Sequence, residues 1–188
     1  MTRGVSRFMV RAVLLGIIII SGGTSAGART PSGLSVASPT LEVDFPTEGS
    51  LLQFFHVPQQ GEESLNIDVF LTYRTNGRIH TSHLQTLGPE GGTAEIATVF
   101  TMDTDGDQSP ELFMLAKWPI RHSGIRTEGT YYQVFVYRRH TCDGGELKFE
   151  RAHDIEGQLG SGFDGMHDGE RVSFPYKDYE SIRAAMNR

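Results

Sequence analysis

The stretch Leu65-Asn66-Ile67-Asp68-Val69-Phe70-Leu71-Thr72-Tyr73-Arg74 decides how the chain is read. Leu65, Ile67, Val69, Leu71 and Tyr73 alternate with Asn66, Asp68, Thr72 and Arg74, and only Phe70 interrupts the pattern. A period of two sends successive side chains to opposite sides of an extended backbone, so one face is expected on a core and the other mostly in water. Thr75-Asn76-Gly77 follows, and Asn-Gly is the two-residue turn whose positive φ angles suit the twist of a hairpin. Residues 78–87 then run back, with Ile79 near their start. The expectation is an antiparallel pair of strands.

Toward the N-terminus, residues 51–57 form another apolar run, closed by Pro58 and a polar loop at 59–63. Residues 29–40 are rich in Ser, Pro, Gly and Thr without periodicity and read as a flexible lead-in. Residues 1–28 read as a signal peptide. Arg3, Arg7 and Arg11 make a basic start, residues 12–20 an apolar core, and Ala26-Gly27-Ala28 a cleavage site. No later segment approaches the about 20 apolar residues that a membrane helix needs. The mature chain is expected to be periplasmic or secreted, with no membrane span.

Toward the C-terminus, strands are expected at 94–102, 111–120, 130–139 and 147–155, bounded by turns such as Leu87-Gly88-Pro89-Glu90-Gly91-Gly92 and Cys142-Asp143-Gly144-Gly145. Residues 130–139 are apolar on both faces through most of their length, as a central strand is. The Gly-rich stretch 157–165 reads as a loop, and His167-Asp168-Gly169-Glu170 as a second hairpin turn. From 176 to 187 the pattern changes: Tyr179, Ile182 and Met186 fall at helical spacing, with Asp178 and Glu180 early and Arg183 late, as the helix dipole prefers. The fold expected is a single, mainly β domain over 41–188, an antiparallel sheet or sandwich with a short C-terminal helix at 176–187.

Between two apolar segments lies Met102-Asp103-Thr104-Asp105-Gly106-Asp107-Gln108-Ser109-Pro110-Glu111-Leu112, with carboxylates at 103, 105, 107 and 111. Acids at alternate positions of a tight turn point several oxygens inward, and calcium accepts about six to eight oxygens in flexible geometry. Without a counter-charge the loop repels itself, since like charges about 4 Å apart cost roughly 4 kcal/mol per pair at an effective dielectric of about 20. The alternative is a solvated acidic turn. Residues 103–112 resemble the calcium loop of the integrin-type FG-GAP repeats, written D-x-D/N-G-D-G-x-x-D-L. The resemblance implies carboxylate ligands from Asp103, Asp105, Asp107 and Glu111 and a backbone ligand from Ser109. Gln108 stands where the family has Gly, and Glu111 where it has Asp. The resemblance covers one loop; no second copy occurs.

Other candidates are weaker. His80 and His83 are three apart, which on a strand puts them on opposite faces and argues against a shared zinc ion. Cys142 is alone, so no internal disulfide forms, and only His140 stands near it as a base. Asp164, Asp168 and Glu170 suit a general acid and base only if a cleft joins them; around Gly turns, acids are usually turn formers. Trp118, Tyr131, Tyr132, Phe135 and Tyr137 either line a ligand groove or pack in the core. His122, His153 and His167 sit beside polar loops. Residues 160–162, Gly-Ser-Gly, read as a flexible turn, and no phosphate loop or dinucleotide fingerprint occurs.

Charge sets a further bound. The formal net charge is −6, and it becomes −9 once the first 28 residues with their three Arg and no acid are removed. That balance argues against nucleic acid as a partner, because phosphate binding needs clustered Lys and Arg. The one basic cluster is Arg138-Arg139-His140. The function expected is a non-enzymatic calcium-binding module for a protein or surface glycan, with an inhibitor or immunity protein as one form of it. A calcium-dependent hydrolase using Asp164, Asp168 or a loop histidine is the competing expectation.

Overall fold

A computed structural model describes residues 35–58, 64–142 and 146–187. The expected signal peptide, the first part of the expected lead-in, the 59–63 loop and the Asp143-Gly144-Gly145 part of one turn lie outside the described residues.

The hairpin forms as its alternation dictates. Strands β1 (Ser35–Val43), β2 (Ser50–Pro58), β3 (Leu65–Thr75) and β4 (Arg78–Leu87) make a four-stranded antiparallel sheet in that order. Asn76 at φ 50° and Gly77 at φ 74° make the turn, with Thr75 opposite Arg78. Ile67, Val69, Leu71 and Tyr73 are buried on the inner face. Phe70 belongs to the outer face, where its ring meets Phe55 at 6.0 Å and His83 at 5.1 Å, so it does not break the alternation but continues it. The lead-in differs from expectation: from Ser35 onward it is β1, held by pairing to β2 with register shifts near Pro39. Its Ser, Pro and Thr content conceals a strand that draws its order from its neighbour.

The second sheet contains β5 (Glu95–Met102), β6 (Glu111–His122), β7 (Thr127–Thr141), β8 (Leu147–Arg151), β9 (Ser161–His167) and β10 (Glu170–Val172). Its order is β10-β9-β7-β6-β5, with β8 also on β7. A single 3₁₀ turn at Ser123–Ile125 joins β6 to β7. The continuous burial along β6 follows from having two covers. Leu112, Met114, Ala116 and Trp118 face the first sheet, while Phe113 and Leu115 face helices α1 (His153–Leu159) and α2 (Tyr179–Met186). The molecule is therefore three layers: sheet, sheet, helices. Trp118 keeps its ring in the inner core and donates Nε1–H to the Gly88 carbonyl at 2.8 Å, which satisfies its one polar atom.

The segment after β7 departs most from the expected pattern. Strand β8 stops at Arg151, and residues 153–159 are helical. The cause lies on β7, whose outer edge pairs with β9 over Glu128–Gln133 and with β8 over Tyr137–Thr141, leaving a gap between. Helix α1 fills it. Ala152 N–H donates to Val136 O at 2.8 Å, and Val136 N–H donates to the Glu156 carboxylate at 2.9 Å. The Gly-rich stretch is then largely strand β9. Gly162 is needed there because a Cβ would lie 2.6 Å from the Phe174 ring. The second Asx-Gly turn forms as expected, with Asp168 at φ 53°, Gly169 at φ 84°, and Glu170 opposite His167.

The C-terminal helix is present and shorter than 176–187. Asp178 caps it in a reciprocal box with Ser181, Ile182 is buried, and Tyr179 sets its ring edge-on to Phe100 at 4.8 Å.

Two outcomes follow from these contacts. Glu156→Ala leaves Val136 N–H and Arg151 without their acceptor in a side chain only 11% exposed; urea denaturation is expected to show a loss of about 2–3 kcal/mol. The Asp178 carboxylate is held below its ordinary pKa of 3.8, chiefly by the Ser181 N–H. Its stabilisation is complete above that value and lost as pH falls through the depressed one. Asp178→Ala is thus expected to cost about 1 kcal/mol at pH 7 and progressively less in acid below about pH 4.

Candidate metal centre

The acidic loop closes the β5–β6 hairpin above the Met102–Glu111 pair. Asp103, Asp105 and Asp107 each offer one carboxylate oxygen, and those oxygens lie within 4.8 Å of one another on the exposed side of the turn. Backbone amides orient them. Asp103 accepts from Gly106 N–H at 2.7 Å and Gln108 N–H at 3.0 Å, Asp105 from Asp107 N–H at 3.1 Å, and Asp107 from Ser109 N–H at 2.6 Å. This arrangement is able to hold a metal ion, with carboxylate oxygens as the ligand type that hard cations take.

Two residues of the turn have left-handed backbones, Gly106 at φ 81° and Gln108 at φ 67°. The second is not a glycine. A side chain there bears a strain of roughly 1 kcal/mol that Gly avoids.

Glu111 and Ser109 have different surroundings from the three aspartates. Glu111 is buried at 2% exposure and accepts from Thr104 N–H at 3.1 Å, Thr104 Oγ1–H at 2.8 Å and Arg138 Nε–H at 3.3 Å. Ser109 Oγ accepts from Arg139 Nε–H at 2.8 Å, and the same guanidinium donates to the Pro46 carbonyl at 2.6 Å. Arg138 in turn forks onto Asp154 of α1 at 2.8 and 3.0 Å, which lowers the Asp154 pKa and raises that of Arg138. The base of the loop is therefore clasped by two arginines of β7. Reading along the sequence picked out Arg138-Arg139-His140 as a basic cluster but did not connect it to the acids; the signal was that a carboxylate in an apolar strand start needs a counter-charge.

The remaining candidates are dispersed. His80 stacks on Tyr73 on the inner face, whereas His83 stands on the outer face beside Asp68 at 3.4 Å, in keeping with strand alternation. Asp164 is engaged by Lys177 at 3.0 Å and Ser173 at 2.9 Å, contacts that depress its pKa. Asp168 accepts from Thr127 Oγ1–H at 3.4 Å, and Glu170 lies exposed beyond the turn. His153 meets Glu156 at 3.1 Å, and the His167 ring lies against Phe163. Trp118, Phe135 and Tyr137 are core residues, with Tyr131 packed on Trp118 and Tyr132 on Phe174. Among the described residues, the only group of three such ligand side chains converging within reach of one ion is that of the acidic loop.

Comparison of the chain with protein-family models, with curated proteins and with solved structures gives no match. No helix among the described residues is long and apolar enough to cross a membrane.

Removing the clasp tests its part. Arg138→Met leaves the Glu111 carboxylate buried with one partner fewer, and a loss of about 2–3 kcal/mol is expected in urea denaturation. The double variant Arg138→Met, Glu111→Gln is expected to recover part of it, because it no longer buries an uncompensated charge.

Proposed function

We propose that this chain is an exported, non-enzymatic β domain that binds calcium at Asp103, Asp105 and Asp107 and serves as an interaction module for a protein or a surface glycan. The observation that carries the reading is the convergence of three carboxylate oxygens within 4.8 Å on a turn set between strands of a packed sheet. Calcium is the ion chosen because the ligands are oxygens of a flexible surface turn, which suits its irregular coordination better than the strict octahedron of magnesium. The resemblance of residues 103–112 to the FG-GAP calcium loop supports the same ion, with the Ser109 carbonyl as a further ligand. Glu111 reaches the ion only if it leaves Arg138 and Thr104, so it enters the ligand set as a second step.

The basic start of the chain and its Ala26-Gly27-Ala28 site support export to the periplasm or beyond. An acidic chain of net charge −6 suits a partner with a basic surface, and an inhibitor or immunity protein covering a basic enzyme cleft is one concrete form. The engagement of Asp164 with Lys177, and of Asp168 with Thr127, favours the module over the hydrolase reading that would use those carboxylates.

Calcium at about 100 times its dissociation constant adds about 2.7 kcal/mol of stability from one site. Thermal melts in calcium are thus expected to lie roughly 5–10 °C above melts in chelator, and Asp105→Asn with Asp107→Asn is expected to remove the difference. A melting temperature that calcium does not move sinks the calcium reading. A pull-down from the envelope fraction, with and without calcium, tests the interaction reading by whether a stoichiometric partner is recovered.

A further inference from the structure

The first sheet ends on a strand whose opening stretch, residues 78–83, carries no Pro, Lys or register shift. Among the described residues β4 pairs only with β3, and residues 78–83 keep an unbroken register before the shift beyond His83. The other edges are blunted by the usual devices. Strand β1 carries Pro39 and two register shifts, β5 has a shift and lies against β1, β8 has five residues and β10 three. Strand β4 has neither Pro nor Lys, and it leaves Ile79 65% exposed.

Its free backbone groups follow from the turn. In a two-residue hairpin the closing pair, Thr75 and Arg78, is hydrogen-bonded, and the pairs alternate from there. Ile79, Thr81 and His83 are therefore the residues whose N–H and C=O point away from β3. The approach of Thr72 Oγ1 to Thr81 Oγ1 at 3.0 Å agrees, since side chains come closest across non-hydrogen-bonded pairs.

An open groove of about 580 Å³ runs beside this edge, lined by Tyr73, Arg78, His80, Ser82, Glu146 and Leu147. His80 and Ser82 stand opposite Tyr73 and Leu71 and so share the inner face of the sheet. Alternate side chains of a strand added to β4 would enter that groove. At the hairpin end, Arg74 and Arg78 are both exposed, and neither forms an ion pair among the described residues. On an acidic chain these two cations select the occupant. A second copy of β4 carries no carboxylate to offer them, whereas an acidic segment is complementary.

We propose that the β4 edge takes up an extended acidic segment of a partner protein as a fifth strand, antiparallel to β4, with the C-terminal end of that segment at Arg74 and Arg78. The direction follows the antiparallel pairing of β4 with β3 and of the rest of this sheet, and an antiparallel strand ends where β4 begins, at Arg78. Main-chain bonds to Ile79, Thr81 and His83 supply affinity, and the groove with Arg78, together with Arg74 on the outer face of the hairpin end, supplies choice. The inference rests on the reading of the chain as an interaction module and adds an acidic strand at this locally basic edge, separate from the basic surface that the acidic remainder of the chain suits.

The test uses the full chain and a fluorescein-labelled peptide, Thr-Val-Thr-Val-Thr-Val-Asp-Asp, against a control ending in Lys-Lys. Anisotropy is expected to show saturable binding of the acidic peptide, with the Lys-ended peptide about tenfold weaker, the size of one charge-assisted contact. Amide exchange at Ile79, Thr81 and His83 should slow when the acidic peptide is present. Thr81→Pro removes an outward N–H that β3 does not use and is expected to abolish binding. Arg78→Glu, an exposed charge reversal that spares the ladder, is expected to invert the preference between the two peptides. No binding of either peptide overturns the inference, as does equal affinity of wild type and Thr81→Pro. A concentration-dependent dimer in sedimentation that Thr81→Pro dissolves also overturns it, by assigning the edge to a second copy. In the envelope pull-down, a partner that Thr81→Pro still recovers sinks this inference and leaves the module reading standing, while no partner on either protein sinks the module reading itself.

Discussion

Strands β6 and β7 must be covered on both faces, and the rest of the molecule answers to that demand. Phe113, Leu115, Val134 and Val136 on one side, and Leu112, Met114, Phe135 and Tyr137 on the other, are all nearly inaccessible to water. One sheet face is covered by β1 to β4. The other needs the two helices, and their shortness is affordable because each rests on a preformed apolar surface and need not be stable alone. Burial at about 25 cal/mol per Å² makes this centre the largest favourable contribution, so the loops at the strand ends are held by it.

The acidic turn is such a loop, and its charge is handled in two ways. Glu111 lies inside the protein margin and is matched by Arg138, with Thr104 taking the second oxygen. The three aspartates lie outside it and, among the described residues, are matched only by backbone N–H groups of their own turn. Partial positive charge on amides orients carboxylates without neutralising them. A metal ion held by the three carboxylates would supply what the amides do not, on ligands already ordered by the packed strand pair beneath. The division between a clasped base and an open rim explains why four acids close in sequence do not act as one set.

What the sequence disclosed depended on whether the cause was local. The β3–β4 hairpin was legible because alternation and Asn76-Gly77 act within a few residues, and the strands around the acidic turn were legible for the same reason. So was the C-terminal helix, whose cap at Asp178 and buried Ile182 lie within one turn of each other. The partners of Glu111 and Ser109 were not, since Arg138 and Arg139 stand 27 and 30 residues away and meet them only through strand order. Glycines misled in the segment 157–165, where Gly162 gives room for the Phe174 ring inside a strand and not freedom to a loop. Strand β1 was hidden for the opposite reason, because its residues carry no pattern of their own and are ordered by β2.

The polar groups that composition would place at the surface gather instead where β7 loses its strand neighbour. Between the end of β8 and the start of β9 the backbone at Val136 has no ladder partner, so Glu156 reaches in to accept its N–H, and Arg151 follows to balance Glu156. Arg151 then spreads over the Phe135 ring at 4.6 Å and reaches Gln85 at 3.2 Å across the sandwich. Gln85 Nε2 and Tyr137 OH are buried without a partner among the described residues, and burial raises the Tyr137 pKa well above its ordinary value. An apolar filling at the gap would have left Val136 N–H unpaired at a cost of roughly 1–3 kcal/mol. One missing pair of ladder bonds thus accounts for a nearly buried carboxylate and a half-buried guanidinium at the gap.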